Sequence, residues 1–167
     1  MKILMVCLGN VCRSPMARFI LEDMLRKNNL GDKIKVESAG TCYDEIGNDT
    51  YPPVKELLDM HNIPYVKHCA RIMEKEDYDK YDLIIGMDRN NIRLIYEILG
   101  GEKRHSFFHS KSEFVDKGNK IHRLLDYTDS PRDIEDPWYT RRFEKVYDEI
   151  YEGCEAFLKY LKKRIDV

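Results

Sequence analysis

Two periods of apolar and polar residues take turns along this chain, and each change of period marks an element. Lys2–Val6 is nearly all apolar (Ile3-Leu4-Met5-Val6), the pattern of a strand covered on both faces. Residues 15–27 switch to helical spacing, with Met16, Phe19, Ile20 and Leu25 inward, and Asn28-Asn29-Leu30-Gly31 stops the run. Ile34–Ser38 reads as a second strand ending in Ala39-Gly40. A helix over Tyr51–His61 turns Val54, Leu57 and Leu58 inward and closes at Ile63-Pro64. Asp82–Met87 is a third strand, and Asp88 is placed to cap a helix over 89–99 that ends at Gly100-Gly101. Ile121–Leu125 makes a short fourth strand. From Tyr139 to about Lys163 a long helix carries Phe143, Val146, Tyr147, Ile150, Cys154, Phe157, Leu158 and Leu161 on one stripe. The stretch 102–119 is the least legible, although Phe107, Phe108 and Phe114 suit a packed segment.

Strands alternating with helices imply a parallel sheet wrapped by helices, with working loops at the carboxyl ends of the strands. No repeat, low-complexity tract or linker interrupts the pattern. The expectation is one α/β domain over 1–167, doubly wound and flavodoxin-like, with helices on both faces of a four-stranded parallel sheet in the order 2-1-3-4.

Composition narrows the setting. A net charge of -2 offers no nucleic-acid surface and no polybasic membrane anchor. No apolar run approaches a membrane span, so neither nucleic acid nor membrane is an expected partner. The five cysteines, Cys7, Cys12, Cys42, Cys69 and Cys154, are odd in number and scattered, which suits a reducing cytoplasm better than a disulfide framework. No Cys-x2-Cys pair is present, and neither metal nor cofactor is expected.

The chemistry concentrates after the first strand, in Cys7-Leu8-Gly9-Asn10-Val11-Cys12-Arg13-Ser14. A strand feeds this loop and Ser14-Pro15 opens the next helix, serine as N-cap and proline at the first helical position. Cys7 therefore lies at the positive end of a helix, where thiolates are stabilised and anions bind. Backbone N–H groups of residues 8–13 can form a nest for phosphoryl oxygens. Gly9 allows unusual backbone conformations, and Asn10 suits a left-handed turn. Arg13 supplies a planar fork matched to two phosphate oxygens, and Ser14 can donate its hydroxyl to the Cys7 thiolate. The plain alternative is a buried cysteine in a strand-to-helix turn with a surface arginine. A nucleotide P-loop in its usual form is excluded, because Gly-x4-Gly-Lys-Ser/Thr is absent.

Cleaving a phosphate monoester also needs a proton for the leaving oxygen. Asp136-Pro137-Trp138-Tyr139 is the best candidate, an aspartate stiffened by proline beside two aromatics; Asp136 either delivers that proton or merely caps the last helix. Asp133 and Asp129 are its rivals.

Together these residues resemble the low-molecular-weight protein-tyrosine phosphatases, through Val6–Arg18, Glu37–Thr41, His68–Arg71, Gly86–Asp88 and Asp136–Tyr139. The resemblance implies Cys7 as nucleophile, Arg13 as phosphate-binding arginine and Asp136 as general acid. It implies a loop of Leu8, Gly9, Asn10, Val11, Cys12 and Ser14 around the phosphate. It further implies that Cys12 forms a reversible disulfide with Cys7, the alternative being loop packing alone. Trp138 and Tyr139 match aromatics flanking the family's cleft. Tyr43 falls in the loop forming the opposite wall, as rim residue or lone surface aromatic. Asp88 and His68 match structural positions that buttress the loop, with capping and core packing as their plainer roles. The implied partners are tyrosine-phosphorylated proteins, with inorganic phosphate as product and inhibitor.

Three rivals share the loop. Arsenate reductases need further redox cysteines, and here the matching region offers only Cys69. Phosphoarginine phosphatases typically have threonine after the loop asparagine, where this chain has Val11. A non-catalytic anion-binding module has no use for Cys7, Arg13 and Asp136 together.

Overall fold

A computed structural model describes residues 1–100 and 114–165. Four strands, β1 (Lys2–Cys7), β2 (Lys35–Gly40), β3 (Leu83–Gly86) and β4 (Ile121–Arg123), form one sheet in the order β2-β1-β3-β4. Every pairing is parallel, with Cys7 opposite Gly40 and Val6 opposite Gly86. Alternate residues of β1 enter two cores. Ile3, Met5 and Cys7 face helices α1 (Arg13–Lys27) and α6 (Phe143–Arg164), while Leu4 and Val6 face α4 (Arg89–Gly100). Both faces of β1 are thus dry, which is why its sequence is a continuous apolar run.

Helix α2 (Pro52–Met60) buries Val54, Leu57 and Leu58, and the stripe of α6 buries Val146, Tyr147, Ile150, Cys154, Phe157, Leu158 and Leu161. A Cβ on Gly153 would lie 2.6 Å from Leu124 Cγ, so this glycine lets α6 settle onto the turn after β4. Two further one-turn helices complete the described chain, α3 (Asp77–Lys80) and α5 (Pro137–Thr140). No helix among the described residues is long and apolar enough to cross a membrane.

Three of the boundaries that differ from the sequence expectation have a visible cause. Strand β4 stops at Arg123 rather than Leu125, because Asp126 accepts from the Arg123 backbone N–H and side chain and closes a 3-10 turn over Leu124–Tyr127. Helix α6 begins at Phe143 rather than Tyr139. The Asp136 carboxylate caps the separate turn α5, which ends at Arg141 with φ of 60°, a left-handed value no helix continues through. Helix α1 begins two residues before Pro15: Met16 N donates to Cys12 O at 3.1 Å, and Ser14 lies inside the first turn instead of capping it. Phe107 and Phe108 lie outside the described residues, whereas Phe114 packs edge-on against Tyr78 and Tyr96.

Candidate active site

The carboxyl end of β1 delivers Cys7 into the loop and leaves it buried. Strand β2 makes room for the turn that follows. A Cβ on Gly40 would sit 2.8 Å from Leu8 O and 3.1 Å from Asn10 Cβ, so only glycine permits this approach. Thr41 N and Cys42 N then donate to Leu8 O at 2.8 and 3.0 Å.

Asn10 is the hinge of the loop. Its φ of 59° is left-handed, a conformation asparagine tolerates better than most residues. Its backbone N–H donates to Cys7 Sγ at 3.3 Å, and its Nδ2 donates to Ser14 Oγ at 2.9 Å. Ser14 Oγ stands 3.0 Å from Cys7 Sγ. With its oxygen accepting from Asn10, the serine hydroxyl proton is available to a sulfur anion. The turn is also clamped from outside: Arg71 N donates to Asn10 Oδ1 at 3.0 Å, and His68 Nε2 meets Asn10 O at 2.7 Å. Arg71 is held in turn by Asp77 and the Tyr81 hydroxyl.

His68 carries a pH signature. Burial, with the Arg18 charge adding, holds its imidazole below the ordinary value. The unfolded chain then binds a proton before the folded one as pH falls through about 6.5. Stability should decline below that pH, by at most about 1.4 kcal/mol per pH unit from this one group. Melting curves between about pH 7.5 and 5.5 should show that slope in the wild type and lose part of it in His68→Gln; identical slopes would reject the assignment.

Arg13 is 2% exposed, and its guanidinium is held by two carboxylates far from it in sequence. Nη1 donates to Asp88 Oδ2 at 2.5 Å and to Ile134 O at 2.9 Å, and Nη2 donates to Asp136 Oδ2 at 3.2 Å. Burial alone would push the guanidinium down, but negative charge at Cys7, Asp136 and Asp88 outweighs it and raises the group. Asp88 meanwhile accepts from Asn91 N with its other oxygen, so it caps α4 and braces Arg13 at once. Asp136 is similarly double-handed, accepting from Trp138 N at 3.1 Å. Its rival Asp133 accepts from Arg89 N and Arg123 Nη1 instead, and Asp129 lines a groove beside Tyr127 and Tyr160.

Cys7, Leu8, Gly9, Val11, Cys12, Arg13, Asp136, Trp138 and Tyr139 line one open cleft of about 450 Å³. Burial first, then negative charge at Cys7 and Asp136, pushes the Cys12 thiol well up, so it stays protonated at neutral pH. Tyr43 is 62% exposed and is not part of the lining. Its neighbours Cys42, Asp44 and Glu45 form that wall instead, and it is acidic rather than aromatic. Gly9 does not adopt a left-handed backbone. A Cβ there would lie 3.4 Å from Glu45 Cγ, so its small size leaves space for the Glu45 stem. Among the described residues no group of three or more His, Cys, Asp or Glu is arranged to hold a metal ion.

A cysteine and an arginine in a strand-to-helix loop, an aspartate across the cleft and this sheet order define a cysteine-based phosphatase of low molecular weight. The comparisons agree: the model of the low molecular weight phosphotyrosine protein phosphatase family matches residues 2–167, and the chain belongs to that family. It is 38% identical over 163 residues to YfkJ of Bacillus subtilis, a low molecular weight protein-tyrosine-phosphatase, covering 96% of each chain. It is 33% identical to PtpA of Staphylococcus aureus, with 95% of this chain and 92% of the relative covered. The crystal structure of YfkJ superposes with a TM-score of 0.87 over 98% of this chain and 96% of that one. An arginine phosphatase from Drosophila superposes at 0.78 with 32% identity, over 97% of this chain and 98% of that one.

Proposed function

We propose that this protein hydrolyses phosphotyrosine in phosphoproteins, and other aryl phosphate monoesters, through a phosphocysteine intermediate. The single observation that carries the reading is the convergence of Cys7, Arg13 and Asp136 on one cleft beside Trp138. Cys7 Sγ attacks phosphorus, the bond from phosphorus to the phenolic oxygen breaks, and Asp136 gives its proton to that oxygen. Water then attacks the phosphocysteine, Asp136 takes a proton from it, and inorganic phosphate leaves as Cys7 departs with the electron pair. The Ser14 hydroxyl at 3.0 Å and Asn10 N–H at 3.3 Å stabilise the departing thiolate. Arg13 and the backbone of Leu8, Gly9, Val11 and Cys12 hold the phosphoryl oxygens, a nest in which product phosphate competes with substrate.

Trp138 and Tyr139 give the cleft an aromatic wall that suits a flat phenyl ring, and the burial of Cys7 favours a substrate long enough to reach it. The likeness to an arginine phosphatase raises phosphoarginine as the second reading. Against it stands Val11, whose methyls on the cleft lining offer no acceptor to guanidinium N–H groups. Turnover of phosphotyrosine, phosphoarginine and phosphoserine peptides side by side, with arsenate reduction as a fourth arm, tests the choice. Phosphotyrosine should lead; faster release from phosphoarginine overturns it.

A cytoplasmic setting goes with five cysteines none of which forms a disulfide in the described residues. We assign Cys12 a protective role toward Cys7 within the same loop. Peroxide converts the Cys7 thiolate to a sulfenic acid, which removes the Cys7 charge that helps hold the Cys12 proton; Cys12 then attacks, its proton leaves with the sulfenic hydroxyl as water, and the disulfide forms. Hydrogen peroxide should therefore inactivate the wild type reversibly and Cys12→Ser irreversibly, read as activity recovered after thiol reductant. Equal recovery in both would remove the role.

A further inference from the structure

The turn that bears Asp136 is a single helical turn with a lateral aromatic contact outside its own segment. That contact is Tyr51, the residue preceding α2. The Tyr51 ring lies 4.9 Å from the Trp138 ring, and its other side packs on Phe143 at 5.9 Å. Its hydroxyl accepts from Arg141 Nη1 at 2.9 Å, and the Arg141 guanidinium stands 5.8 Å from both the Tyr51 and Trp138 rings. At its other end Tyr51 N donates to Val11 O at 2.9 Å, inside the phosphate loop.

One residue therefore grips both halves of the site, by its backbone the nucleophile's loop and by its ring the acid's turn. We propose that Tyr51 is a positioning residue that sets the distance between Asp136 and the phosphate loop, with Arg141 as its latch. The proposal rests on the reading of Asp136 as proton donor. Proton transfer is steep in geometry, so loosening this grip costs most where the leaving group most needs a proton.

Trp138 is the only tryptophan of the chain, so its fluorescence reads the turn without any turnover. Tyr51→Leu removes ring and latch; Tyr51→Phe keeps the ring and removes the bond from Arg141. In Tyr51→Leu, acrylamide quenching of Trp138 should rise, and kcat/KM, which reads phosphoryl transfer to Cys7 and not the later hydrolysis, should fall about tenfold on phenyl phosphate and less than about twofold on 2,4-dinitrophenyl phosphate. Tyr51→Phe should move both readouts the same way by less. In an Asp136→Ala background, Tyr51→Leu should add nothing on phenyl phosphate.

Unchanged quenching in Tyr51→Leu overturns the proposal, as does an equal loss on both esters or an additive loss in the double variant. Should Tyr51→Leu fail to fold, Tyr51→Phe and Arg141→Met carry the same comparison, and no change in either overturns it. If the wild type hydrolyses neither ester, the phosphatase reading has failed, and the proposal that depends on it falls with it; quenching then shows separately whether Tyr51 holds the turn.

Discussion

Replacing Cys7 with serine is expected to lower turnover of p-nitrophenyl phosphate about 10⁴-fold or more, equivalent to about 5.5 kcal/mol of barrier at 1.36 kcal/mol per decade. The size follows from what surrounds the sulfur. Asn10 N–H at 3.3 Å and the Ser14 hydroxyl at 3.0 Å favour an anion at that point, and a thiol supplies one far more readily than an alcohol does. The substitution is nearly isosteric and leaves Arg13 with its partners Asp88, Ile134 and Asp136, so phosphate affinity should survive. Titration calorimetry with inorganic phosphate alongside the assay separates the two effects. Undiminished turnover by Cys7→Ser would end the phosphocysteine mechanism.

The second large effect belongs to Asp136. Asp136→Ala should lower kcat/KM on phenyl phosphate by about 10² to 10³, the usual contribution of a general acid, and lower it much less on activated esters. Alanine also removes the cap on Trp138 N, a loss of about 1 kcal/mol that could loosen the turn by itself. Asp136→Asn separates the causes. Asparagine keeps the cap through its single oxygen, but its NH₂ replaces the oxygen that meets Arg13, and it has no acidic proton to give. The two variants should fail alike on phenyl phosphate. Activity restored by asparagine, or equal losses across leaving groups, would make Asp136 a cap and nothing more.

The sheet was readable because β1 and β3 bury both faces and so appear as unbroken apolar runs. The nucleophile's loop was readable because its chemistry is local, lying within residues 7–14. The misplaced boundaries share one cause, polar side chains bonded elsewhere than the cap or ladder their spacing suggests. Ser14 turns to Cys7 instead of capping α1, Asp136 makes a turn of its own, and Asp126 draws Arg123 out of β4. The braces were harder to see. Asp88 reads along the chain as a helix cap, and only its family position points to the loop that its second oxygen braces through Arg13. Tyr51 looks like the first residue of a helix, and its contacts with Trp138 and Arg141 exist only once the chain has closed. Tyr43 was chosen for its aromatic ring, while the wall beside it is built from Cys42, Asp44 and Glu45.

Asn10 holds its left-handed turn through bonds to Arg71 and His68, in the close space that Gly40 leaves open. The active loop is for that reason not a portable module. Grafted onto the strand-to-helix turn of another α/β protein, residues 7–14 would lack the outside clamp on the asparagine and the carboxylate brace on the arginine. A transplant would have to carry the 38–41, 68–71 and 86–88 segments as well. The smallest heritable unit of this chemistry is a patch across three strand ends, and a designer who copies only the signature copies the least constrained part of it.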